Sequence, residues 1–175
     1  MSEYGVMTEP GTVRIERVLP GPIEQLWAYL TESEKRGTWL ASGAMEPRVG
    51  GQVELHFRNS ELSPHAEQPP EKYRDHACGH SILNRVTAWE PPRRLGYTWG
   101  GDSEVTFELT PRDADVLLVL THRRLAGREQ TLGVSAGWHA HLDILGDRLA
   151  GREPRPFWST HARLEEEYAR RLQLG

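Results

Sequence analysis

The side chains in this sequence that could carry chemistry are mostly histidines. His76, Cys78 and His80 alternate along a stretch that reads as a strand, which puts them on one face. Imidazole and thiolate are zinc ligands. Side chains two apart on a strand nevertheless stand roughly 6.5–7 Å apart, too wide for one ion without ligands from elsewhere. No CxxC pair or HExxH motif supplies them, so no metal is expected. His122 closes an apolar alternation of Val116, Leu118 and Leu120 and should point inward with them. There it could hydrogen-bond a ligand carbonyl or act as an acid or base near neutral pH, as the candidate catalytic residue. The alternative is a histidine satisfied by a neighbouring backbone or carboxylate group. His139 and His141 diverge on a helix and cannot chelate together, and His139 with Asp143 reads as a surface pair. GxSxG, P-loop and post-strand GxGxxG motifs are all missing, which leaves hydrolase, nucleotide and dinucleotide readings unsupported and no cofactor expected.

The elements that must position these residues centre on 131–150, TLGVSAGWHAHLDILGDRLA. Trp138, Leu142, Leu145 and Leu149 recur at helical spacing, with Val134, His141 and Ile144 beside them. Gly133 and Gly137 are costly inside a helix and predict a frayed first turn or a close backbone neighbour. Gly151, Pro154 and Pro156 mark its end. Earlier segments read mainly as strands: 12–19, 52–57, 77–89, 94–99, 103–110 and 115–123. Two short helices follow Pro22, one striped by Ile23, Leu26, Trp27 and Leu30 and one capped at Ser33. Residues 59–72 hold three prolines and read as a long loop, a lid or a flexible edge. Ser159 is the expected cap of a last helix with a Leu164, Tyr168, Leu172 stripe; its 165–167 carboxylates are expected to face water. Strands followed by long helices predict an α+β layer architecture.

With one cysteine there can be no internal disulfide, which fits a reducing, cytoplasmic setting. No apolar run is long enough to span a bilayer, and the start of the chain has no signal-peptide pattern, so no membrane insertion is expected. A formal charge of −4, with arginines interleaved among carboxylates, argues against nucleic acid.

Five segments carry a family resemblance: VLPGPIEQLWAYLTESEKRGTWL, the strand after Gly50-Gly51, WEPPRRLGYTW, LVLTH and GWHAHLDIL. In this order, over about residues 12–150, they resemble the START/Bet v 1-like (SRPBCC) superfamily, in its branch of homologues of the activator of Hsp90 ATPase. The resemblance implies a helix-grip fold, in which a curved antiparallel sheet wraps a long C-terminal helix and leaves a cavity between them. Here an additional C-terminal helix follows. The chain is expected to have three parts: a flexible tail at 1–11, the domain that carries the resemblance at 12–151, and a helical extension at 152–175 that lies outside the core of the fold. Many members of the superfamily hold lipids, polyketides or other apolar ligands in the cavity, and no universal catalytic motif comes with the fold.

On this sequence the implied concave face is made by Trp39, Val53, Leu55, Phe57, Tyr97, Trp99, Phe107, Leu118, Leu120, His122, Trp138, His141, Leu142 and Leu145. An aromatic wall with few polar groups suits a small hydrophobic or aromatic ligand, although the same residues could simply fill a core. The leading expectation is a ligand-binding module. A cyclase- or dehydratase-like enzyme using His122 comes next. A chaperone partner comes last, because the family's namesake carries a further amino-terminal domain without counterpart in these residues. The last helix makes a homodimer possible.

Overall fold

The computed structural model describes residues 3–76 and 79–172. Seven antiparallel strands form one curved sheet in the order β1-β2-β7-β6-β5-β4-β3. The strands are β1 (Val6–Glu9), β2 (Thr12–Pro20), β3 (Gln52–Phe57), β4 (His80–Glu90), β5 (Arg94–Trp99), β6 (Ser103–Arg112) and β7 (Asp115–Arg123). Helices α1 (Ile23–Thr31) and α2 (Ser33–Arg36) cross between β2 and β3; α3 (Gly127–Leu149) and α4 (Phe157–Leu172) follow the sheet. This is the α+β layer architecture that the sequence pattern predicts, in the helix-grip form that the family resemblance implies.

Alternation decides which face is buried. Ile15 pairs with Leu120, Leu120 with Phe107 and Phe107 with Leu95, making one apolar row across four strands. A second row joins Val13, His122, Val105, Tyr97 and Val86. Residues directly opposite each other share a face, so both rows point the same way. They are buried in one core with Trp138, Leu142 and Leu145 of α3. The free edge of β3 is covered by residues 42–46, whose backbone bonds (Glu54 N–H to Ala44 O, His56 N–H to Ser42 O, both 2.8 Å) continue the ladder.

Three expectations change. Residues 6–9 of the expected tail form β1 on β2, and the Gly5 N–H donates to the Tyr168 hydroxyl (2.7 Å), which ties this segment to α4. Helix α3 starts at Gly127, four residues early, because its first turn is polar and carries no apolar period. Helix α4 starts at Phe157, and its free amides are capped from a distance. The Glu67 carboxylate accepts from Trp158 N–H (3.0 Å) and Ser159 N–H (3.2 Å), so Ser159 is not the cap.

Candidate aromatic cleft

Phe57 ends β3, His80 opens β4 and Trp99 ends β5, all at one end of the sheet. There a cleft of about 420 Å³ opens between the strand ends and the first half of α3. Gly133, Val134, Gly137, Trp138 and His141 form its α3 wall, while Phe157, Trp158 and His161 come from the first turns of α4. Asn59, Lys72, Tyr73 and His76 come from the segment after β3, a strap that includes the one-turn 3-10 helix Asn59–Glu61 and the 3-10 segment Glu71–His76.

Nine of the lining side chains form a closed circuit of neighbouring rings. Successive centroid distances are 5.7 Å from Phe57 to Trp99, 4.9 Å to Trp138, 6.3 Å to His141 and 4.6 Å to Phe157. The circuit continues 4.9 Å to Trp158, 5.5 Å to Tyr73, 5.8 Å to His76, 3.9 Å to His80 and 4.8 Å back to Phe57. Such spacings suit offset-stacked and edge-to-face contacts, and they present π faces and ring edges to whatever enters. The glycines of α3 keep that wall low. A Cβ on Gly133 would meet the Tyr73 hydroxyl at 3.4 Å, and one on Gly137 would meet His161 Nε2 at 4.0 Å. The expected backbone approach is therefore an approach by side chains.

Of the fourteen side chains placed from sequence on the concave face, Phe57, Trp99, Trp138 and His141 line this cleft, and Val53 and Leu55 are buried in the core. Trp39, Tyr97, Phe107, Leu118, Leu120, His122, Leu142 and Leu145 lie in the core behind it, each no more than 1% exposed. His122 is fully engaged. Trp138 Nε1–H donates to its Nδ1 (2.9 Å), so the ring's proton sits on Nε2 and goes to Ser103 Oγ (3.1 Å), whose hydroxyl donates to the Trp99 carbonyl (2.7 Å). Burial pushes its pKa down to about 3. Acid–base work would require breaking this chain, so the geometry gives His122 the job of holding the two cleft tryptophans.

The polar side of the cleft is where α4 meets the strap. Lys72 Nζ lies 2.6 Å from Glu165 Oε1 and 3.3 Å from Glu129, and the Tyr73 hydroxyl donates to Glu165 Oε2 (2.7 Å). His161 Nε2–H reaches the Gly133 carbonyl (3.4 Å), and its Nδ1 stands 3.6 Å from Glu165. Burial raises Tyr73 to about 12, helped by the bond to Glu165. Burial would also raise Glu165, but its bonds to Lys72 and Tyr73 outweigh that and hold it below the usual carboxylate value. Burial lowers His161. Glu165 thus turns inward, contrary to the water-facing reading of 165–167. His139 is buried too: it bonds the Tyr168 hydroxyl (2.8 Å) and lies 3.6 Å from Asp143, which is shared by Arg17 and Arg155.

Sequence reasoning missed the α4 and strap contributions, although Phe157, Trp158 and His161 stand at i, i+1 and i+4 and give one face of a helix. Among the described residues no group of three or more His, Cys, Asp or Glu is placed to hold a metal. Cys78 lies outside them. His76 and His80 stack face to face, so their in-plane nitrogens do not converge.

A family model described as activator of Hsp90 ATPase homolog 1-like protein matches residues 20–150. The chain belongs to that family. The family is part of the SRPBCC superfamily, and its match ends where α3 ends, leaving α4 outside. No curated protein matches the chain at a significant level. Among solved structures, the protein encoded by gene BPP1335 from Bordetella parapertussis is 43% identical, over 98% of this chain and 91% of that one, with a TM-score of 0.82. CalU16 from Micromonospora echinospora (21% identity, 95% and 93% coverage, TM-score 0.66) shares the fold. DynU16, a putative protein in the dynemicin biosynthetic locus, also shares it, at 18% identity and TM-score 0.64 over 83% of this chain and 49% of that one. No helix among the described residues is long and apolar enough to cross a membrane.

Proposed function

We propose that this member of the family is a cytoplasmic binding protein for a small apolar or aromatic ligand, held in the cleft between the sheet end, α3 and α4. The observation that carries the reading is the closed circuit of nine rings around a cleft of about 420 Å³. Ligand pockets typically enclose about 300–1,000 Å³ and combine apolar walls with a few fixed polar groups. A filled core would close such a space, because interiors pack to crystal-like density. The two glycines facing the cleft from α3 support the same reading, since each costs about 1 kcal/mol of helix stability relative to alanine and leaves open volume where a side chain would stand.

Native mass spectrometry of freshly purified protein, followed by organic extraction, tests this. The expected result is a stoichiometric apolar adduct, or uptake of one equivalent from a panel of two- and three-ring aromatic compounds. A mass that stays at that of the bare chain throughout the panel would contradict the proposal.

A further inference from the structure

The hydrogen-bonding groups of the cleft are unbalanced. Trp138 gives its indole N–H to His122, Trp158 gives its own to Ser60 Oγ (2.9 Å), and Tyr73 donates to Glu165. Lys72 is held between Glu165 and Glu129. These donors are committed within the protein, whereas acceptors are left over: Asn59 Oδ1 is buried without a partner, and a nitrogen of His141 is unpaired as well. His141 Nδ1 is bonded to the Trp39 carbonyl (2.8 Å), and a carbonyl can only accept, so Nδ1 carries the proton. The other nitrogen, Nε2, therefore holds a bare lone pair. It has no hydrogen-bond partner among the described residues, is not one of the atoms sealed from solvent, and belongs to a ring that borders the cleft. Burial pushes the pKa of His141 down to about 3, which makes Nε2 an acceptor that does not take the proton it is offered. Trp99, at the sheet end of the same cleft, has an indole N–H with no partner among the described residues.

Resting on the cleft being the ligand site, we infer that it selects a neutral aromatic compound carrying a hydroxyl group, whose O–H donates to His141 Nε2. The hydroxyl oxygen can in turn accept from an N–H such as that of Trp99. A hydrocarbon or ether of the same shape would leave the lone pair buried and unpaired, which is costly. A carboxylate would set a charge against that lone pair and lose its hydration among apolar rings. An ammonium could donate, and π faces attract cations, but it too would have to be desolvated, in a cleft whose lining already includes the Lys72 cation.

The test compares 2-naphthol, 2-methoxynaphthalene and 2-naphthylmethylammonium by calorimetric titration of the wild-type chain. Naphthol is expected to bind about tenfold tighter than either, the equivalent of about 1.4 kcal/mol. In protein labelled with ¹⁵N-histidine, the His141 Nε2 resonance, assigned by its loss in His141→Gln, is expected to move upfield with naphthol and not with the ether. Equal affinity for naphthol and ether, tighter binding of the ammonium compound, or an unmoved Nε2 resonance with naphthol bound would overturn the donor assignment and leave the cleft reading standing. Binding of none of the three would overturn both.

Discussion

His122 shows how a single side chain can look catalytic in sequence and act otherwise in the fold. Its position at the end of an inward alternation is legible from Val116, Leu118 and Leu120. What it bonds is not legible, because Trp138 and Ser103 reach it from another helix and another strand. The buried histidines have a collective consequence for pH. His122, His139 and His141 are each pushed down to about 3 and His80 to about 4, all mainly by burial. In the unfolded chain they titrate near the ordinary 6.5, so below that pH the unfolded state binds more protons than the folded one. Stability is therefore fully present above about pH 7 and falls as the pH drops. At pH 5 the loss is about 2 kcal/mol for each of the three most shifted rings. Thermal melts between pH 7.5 and 5 should show Tm falling steeply below 6.5, with far-UV spectra unchanged before the transition. A Tm that is flat across this range would contradict the neutral, buried state assigned to these rings.

At the scale of elements, the strap and α4 form a unit. Glu67 caps α4, Glu165 of α4 holds Lys72 and Tyr73 of the strap, and Trp158 donates to Ser60. Glu67→Ala should cost about 1 kcal/mol, the usual worth of a helix cap, and should speed proteolytic cutting within 59–76. Urea midpoints and cleavage rates that match the wild type would count against this coupling. The strands, α3 and the Leu164, Tyr168, Leu172 stripe of α4 were open to prediction because each repeats a local period of two or 3.6 residues. The cleft was not. Its upper side depends on contacts between residues some ninety positions apart, such as Glu67 with Trp158, and no local pattern records them. Gly133 and Gly137 did register as anomalies, but only the folded chain shows that Tyr73 and His161 stand opposite them.

For the molecule as a whole, the fold is shared with the Bordetella parapertussis protein over nearly the full chain, and the family model stops at the end of α3. The cleft is completed by Phe157, Trp158 and His161 of α4, beyond that point, so under the proposed function the ligand preference of this chain depends on α4 as well as on the family core. The most direct measurement is the affinity of Gly137→Leu for 2-naphthol beside that of the wild type, with thermal stability followed in the same samples. Leucine suits a helix better than glycine, and the nearest atom to a Cβ there is 4.0 Å away, so the variant should fold with Tm at or above the wild-type value. Its side chain would occupy the cleft, and affinity should fall at least about tenfold. Unchanged affinity in a folded Gly137→Leu would place the ligand elsewhere and contradict the account.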